Sequence, residues 1–201
     1  MINKQLITAI FIGRSGCGKG TQASLLIEYL KKQNDSHEVL CIETGAGFRE
    51  FIGGDSFTAQ RSREIMNQGE LQPSFISTWI WAGELITKMT GQEHLIIDGS
   101  PRRMGDAYSL ASALSFYERP QTPRIFHLNV TRDWSRERLI ARGRTDDSLI
   151  DVEKRLNWFE AEVAPVIEFF KNDERFILED IDGERSIEEI HADIISRIWL
   201  D

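Results

Sequence analysis

The stretch Leu6-Ile7-Thr8-Ala9-Ile10-Phe11-Ile12 runs directly into Gly13-Arg14-Ser15-Gly16-Cys17-Gly18-Lys19-Gly20-Thr21, after which Ala23, Leu26, Ile27 and Leu30 recur at helical spacing. A short, nearly continuous apolar run reads as a strand buried on both faces. The glycines that follow let consecutive backbone N–H groups turn inward around phosphate oxygens. The next helix offers its positive N-terminal end, and Lys19 adds a full charge. Strand, glycine loop and helix in this order make a phosphate-binding loop of Gly13, Gly16, Cys17, Gly18, Lys19, Gly20 and Thr21. Many such loops place Ser or Thr directly after the lysine as a magnesium ligand; here Gly20 stands there and the hydroxyl comes only at Thr21.

Outward from this loop, short apolar runs recur at Val39 to Ile42, Leu95 to Ile97, Ile125 to Leu128 and Phe176 to Leu178, with longer amphipathic stretches between them. That alternation is the pattern of strands joined by crossover helices, and it predicts an α/β fold with a parallel five-stranded sheet. Ile187, Ile190, Ile194 and Ile198 mark a last core-facing helix. Asp147 to Lys171 carries Val152, Leu156, Phe159, Val163 and Val166 on one side and reads as one long helix, kinked at Pro165. Thr44 to Pro73 and the brief Gly143 to Thr145 break the alternation and read as flaps over a site. A single domain over 1–201 is expected, with core segments 1–43, 74–142 and 147–201, a helical insertion 44–73 and a very short lid 143–146.

The 201 residues suffice for a sizeable core without metal or disulfide, since folding at this size buries ~70% of the unfolded chain's surface. A net charge of -8 argues against nucleic acid and anionic membranes as partners, so an anion site must be local. No segment approaches the ~20 apolar residues of a membrane span, and no secretory signal pattern is present; a cytoplasmic, monomeric protein is expected. Cys17 and Cys41 are too few for a disulfide framework, and His37, His94, His127 and His191 are scattered without metal-ligand spacing.

Gly18 to Gln22, reading GKGTQ, resembles the nucleoside monophosphate kinases of the adenylate kinase type. The likeness extends to Thr44-Gly45 with Arg49, to Met66, Gly69 and Leu71, and to Asp98-Gly99-Ser100-Pro101-Arg102. It continues in Arg138, Arg142, Arg144 with Asp146 and Asp147, Arg155-Leu156 and Asp182-Gly183. It implies a three-layer phosphate-loop NTPase fold with a helical monophosphate-binding flap and a minimal lid. The implied activity is reversible phosphoryl transfer from ATP, bound with Mg2+, to a nucleoside monophosphate, AMP first. By the same resemblance Arg49, Gly99, Arg102, Asp106, Arg144 and Arg155 belong to the acceptor site, with Thr44 and Gly45 by its base and the Gln72 backbone facing it. Arg138 stacks on the donor base, the backbone near Arg185 meets the donor adenine, and Arg142, Arg144 and Arg155 hold the moving phosphate. Lys19, Arg102, Arg142, Arg144 and Arg155 form the implied catalytic set.

The residues themselves agree with that reading. Phosphoryl transfer needs positive charge around the equatorial oxygens more than covalent chemistry, so arginines are the expected tools. Arg138 and Arg142 are four apart and share a helix face. Asp98, at the carboxyl end of a buried strand, is placed to hold magnesium through water. The acceptor is already an ionised phosphate oxygen, so no strong general base is required. One departure touches the substrate. Adenylate kinases usually carry a glutamine eight residues after the strand-end aspartate, and this chain has Asp106, whose carboxylate only accepts hydrogen bonds. The same chemistry on GMP, CMP or UMP, and a nucleotide-binding regulator without turnover, therefore stand as alternatives. Ala46 and Ser100 depart from the family's aspartate and aromatic at those positions.

Overall fold

The computed structural model describes residues 6–33, 37–119, 122–143 and 149–199. In chain order the elements are β1 (Thr8–Gly13), α1 (Lys19–Lys32), β2 (Val39–Glu43), α2 (Thr44–Phe51), α3 (Phe57–Asn67), α4 (Ser74–Lys88) and β3 (His94–Asp98). There follow α5 (Met104–Phe116), β4 (Arg124–Asn129), α6 (Arg132–Arg142), α7 (Leu149–Trp158), a π-helical turn (Phe159–Val163), α8 (Ala164–Lys171), β5 (Ile177–Asp182) and α9 (Ile187–Ile198). The sheet is five-stranded and parallel throughout, in the order β2-β3-β1-β4-β5.

The strand period of two divides the apolar residues between two faces. Ala9 and Phe11 of β1, Ile96 of β3 and Phe126 and Leu128 of β4 face one layer, where they meet Ala23, Leu26 and Leu30 of α1 and Ile190, Ile194 and Ile198 of α9. Phe11 and Phe126 stack at 5.4 Å. Ile10 and Ile12 point the other way with Leu95, Ile97 and Ile125, against Trp81 and Leu85 of α4, Leu110 and Leu114 of α5, and Val166 and Phe170 of α8. Helices on both faces of one sheet make the three-layer α/β phosphate-loop fold. Each fully buried side chain of this kind contributes ~1.5–3 kcal/mol, so truncating Leu26, which is wholly buried, costs ~2–5 kcal/mol.

The long helix expected from Asp147 to Lys171 differs from the sequence reading. It is interrupted upstream of Pro165 rather than at it, by the π turn, in which the N–H of Ala164 bonds Phe159 O. Proline lacks an N–H and its ring crowds the carbonyl four residues earlier, here Ala161, so the disturbance falls in the preceding turn. Pro165 itself sits in the first turn of α8, where a missing donor costs nothing. The last strand begins at Ile177, not Phe176, and runs on to Asp182. Its acidic half is sustained by partners: Glu179 pairs with Arg124 and Arg197, and Asp180 with His127. Among the described residues no helix is long and apolar enough to cross a membrane.

Candidate active site

β1 lies at the centre of the sheet with β3 on one side and β4 on the other, so the crevice beyond its carboxyl end is where such sheets bind ligands. Three glycines turn the chain there, Gly13, Gly16 and Gly18 at φ of 142°, 84° and 97°. A Cβ on Gly13 would lie 2.6 Å from Leu128 O, so β4 itself forbids a side chain at that turn. Lys19 Nζ donates to the carbonyls of Gly13 at 2.9 Å and Arg14 at 2.8 Å, which curls it across the loop. Cys17 is buried in the core beside this lysine, and its thiol packs. α6 backs the loop: Ser135 Oγ donates to Ser15 O, and a Cβ on Gly16 would meet Leu139 at 3.0 Å. Gly20 sits so close to Asp98 that its Cβ would stand 3.3 Å from Oδ2, while Thr21 is exposed at the cleft edge.

Asp98 ends β3 opposite Phe11. Burial raises its pKa, and Lys19, Arg102 and Arg49 pull against that rise. Its Oδ1 is buried without a protein partner. Arg102 returns toward the same strand end, with Nε donating to Gly99 O at 2.7 Å and its guanidinium 5.7 Å over the Trp158 ring. Burial lowers its pKa; Asp98 and Asp106 oppose the shift, and Arg155 and Arg49 reinforce it. Three arginines thus converge on the strand end. α2 opens at Thr44, 3% exposed with an unpartnered Oγ1, and is seated on α4 through Phe48, Ile76 and Ile80. Gly45 and Gly99 face one another, and Gly45 also borders Arg49. Gln72 is buried, its Nε2 donating to Ser62 O at 2.7 Å.

Asp106 lies 1% exposed in the first turn of α5. Its Oδ1 accepts from Thr78 Oγ1 at 3.3 Å; burial raises its pKa, and the nearby Thr78 and Ser77 hydroxyls and the Arg102 and Arg103 backbone pull against that rise. The residue therefore closes the start of α5 onto α4, although it also borders the cleft.

On the α6 side of the cleft, Arg138 lies 4.7 Å over the ring of Trp134, one turn earlier on α6, and Arg142 follows in the last turn, which stops at Gly143 with φ 60°. Across from α6, the backbone of Gly183 bonds Asn129 O at 2.8 Å, and a Cβ there would strike Val130 at 2.8 Å. Arg185 is tied to Asp193 at 2.6 Å.

Every site residue singled out in the sequence except Arg144 lines one cleft of about 560 Å³. Arg144, with Asp146 and Asp147, lies outside the described residues, as does most of the short lid. Trp134 and Trp158 also line the cleft and were not singled out as site residues. Their signal was available: each stands three or four residues from a site arginine on the same helix. Among the described residues no group of three or more acidic, cysteine and histidine side chains could hold a metal directly. Both cysteines are free, and the Cys41 thiol is pushed up to about 12 by burial and by Glu43, Asp98 and Glu84.

A family model described as adenylate kinase matches residues 11–175. Curated relatives named adenylate kinase include proteins of two Prochlorococcus marinus strains, 30% and 32% identical over 185 residues, each match covering 92% of this chain and 94% of the relative. A Synechococcus adenylate kinase is 32% identical over 181 residues, covering 90% of this chain and 92% of the relative.

Proposed function

The chain belongs to the adenylate kinase family and is a nucleoside monophosphate kinase; on that premise we propose that it transfers the terminal phosphoryl group of MgATP reversibly to AMP. The observation that carries this reading is the convergence of Lys19, Asp98, Arg49, Arg102 and Arg155 at one strand end, between a phosphate loop and a helical flap.

The loop amides and Lys19 hold the donor phosphates, and Lys19 leaves the Gly13 and Arg14 carbonyls to do so. Arg49 and Arg102 grip the acceptor phosphate. Arg142, Arg144 and Arg155 screen the charge that spreads over the moving group, the largest contribution expected in a reaction with little covalent chemistry. Arg138 stacks on the donor base above Trp134, and the backbone at Gly183 to Arg185 borders its edge. Thr44, Gly45 and the Gln72 backbone line the acceptor base. Asp98 suits a hydrated divalent ion, because its buried Oδ1 has no protein partner and Gly20 leaves the space beside Oδ2 clear. When bound, magnesium neutralises and orients the donor phosphates. Segment 44–73 serves as the monophosphate flap, 143–146 as the lid, and the chain works as a cytoplasmic monomer.

Asp106 favours AMP only indirectly. Its Oδ1 accepts from Thr78 of α4, and burial raises its pKa toward the neutral acid, which repels the adenine ring nitrogen less than a free carboxylate would. Diphosphate formation from MgATP with AMP, GMP, CMP and UMP in parallel tests the proposal. AMP is expected to be the best acceptor; preference for another base overturns the acceptor assignment, and turnover with none overturns the kinase reading.

A further inference from the structure

Arg14 is the second residue of the phosphate loop, yet it does not line the cleft. Its side chain, 13% exposed, runs backward under the loop. Nε donates to Val130 O at 3.1 Å, Nη2 meets Glu160 Oε1 at 2.5 Å, and the guanidinium lies 4.0 Å over the Phe159 ring. The carbonyl of the same residue accepts from Lys19 Nζ at 2.8 Å. One residue thus touches the loop lysine through its backbone and, through its side chain, the start of the π turn.

Phe159 and Glu160 continue α7, the helix that carries Arg155 one turn earlier. α8 beyond the π turn is locked in the core by Val166 and Phe170. The π turn holds one residue more than an α turn, so the facing of α7 is offset from that of α8, and something other than α8 must fix it. Leu139 of α6, packed with Val152 and Leu156, seats the body of α7, and Arg14 adds a fixed point at its end, on the side of the phosphate loop. A planar cation held at once by an aromatic face, a carboxylate and a carbonyl has little rotational freedom left, unlike an ordinary surface ion pair.

We propose that Arg14 is a positioning residue of the transfer step: through Phe159 and Glu160 it sets the separation between the loop bearing Lys19 and the helix bearing Arg155. The proposal rests on the kinase reading above. Arg14 lies outside the cleft, so its loss displaces Lys19 relative to Arg155 without removing either group from the site.

The test is steady-state kinetics of the full chain with MgATP and AMP, for the unmodified protein and for Arg14→Met, Arg14→Lys, Glu160→Gln and the double variant Arg14→Met with Glu160→Gln. Arg14→Met is expected to lower kcat by ~10-fold or more, with both KM values within about threefold, since small misplacements of reacting groups cost rate steeply. Arg14→Lys keeps the charge but not the planar fork and should recover only part of that loss. Glu160→Gln should lower kcat in the same sense, and the double variant should be no worse than Arg14→Met. Glu160 is more than half exposed, so its substitution spares the fold and carries the test even where Arg14→Met does not accumulate. Unchanged kcat in Glu160→Gln, or a rise in KM for ATP alone, overturns the proposal. Absence of turnover in the unmodified chain overturns the kinase reading instead.

Discussion

Substituting Gly183 by alanine adds one carbon at a place where two neighbours cannot yield. The new Cβ would stand 2.8 Å from Val130 Cγ1 and 3.2 Å from Asn129 O. Val130 is 4% exposed within the core, and Asn129 O belongs to the end of β4 and already accepts from the Gly183 N–H at 2.8 Å. Relief requires the β5 to α9 loop to lift by roughly half an ångström, weakening that hydrogen bond, or Val130 to repack. Overpacking of this kind costs ~1–3 kcal/mol. At ~2–4 °C per kcal/mol for a chain of this size, the melting temperature should fall by about 2–12 °C. The same loop borders the donor end of the cleft, so KM for ATP should rise about threefold or more while KM for AMP stays put. Differential scanning calorimetry and initial rates at varied ATP and AMP measure both effects. An unchanged melting temperature together with an unchanged KM for ATP would refute the argument that the loop is wedged against β4.

Further expectations follow from the same geometry. Arg102→Ala should cut turnover by ~10³ or more, on the scale of a lost arginine finger; near-normal rates on every monophosphate would remove Arg102 from the acceptor site. Asp98→Asn should abolish most activity yet raise the melting temperature of the unliganded protein at neutral pH. Because burial raises the Asp98 pKa, its contribution to stability is complete below the unfolded value of ~3.9 and is lost as pH rises through the folded one. The gain should therefore shrink toward pH 4, and a less stable variant at pH 7.5 would show the charge to be stabilising. His127 is shifted the opposite way: burial, with Lys19 and Arg14 adding to it, lowers its pKa from 6.5 against the pull of Asp180. Its contribution is complete above 6.5 and disappears as pH falls through the lowered folded value. Replacing it with glutamine should flatten the acid side of the stability profile, which unfolding by urea at pH 5 and pH 8 would reveal.

The sheet was legible because strands buried on both faces leave short apolar runs that few other structures produce, and the phosphate loop because its glycines answer to backbone angles rather than to distant partners. The strand ends were less so. β5 continues through Glu179 and Asp180, whose charges hide a strand until Arg124, Arg197 and His127 are brought beside them by folding. The π turn was missed for a related reason: Pro165 marks trouble in a helix, but where the helix yields depends on what holds α8, and Val166 and Phe170 hold it tightly. The site residues were found as sequence motifs, whereas what each one leans on was not. Nothing in the chain near Asp106 announces that Thr78 will meet its carboxylate, and nothing near Arg14 announces Glu160, 146 positions away.

The π turn also sets a rule for how this chain can vary in length. Residues before it are read against the phosphate loop and the cleft, and residues after it against the core, so the turn is the place where two independent angular registers are reconciled. Removing one residue between Phe159 and Val163 would restore a regular α-helix and rotate one half by ~100° against the other. Either Arg155 and Trp158 would leave the cleft or Val166 and Phe170 would leave the core. The number of residues from Arg155 to Val166 is consequently as fixed as any single side chain, while the turn that follows α8 at Asn172 carries no such count.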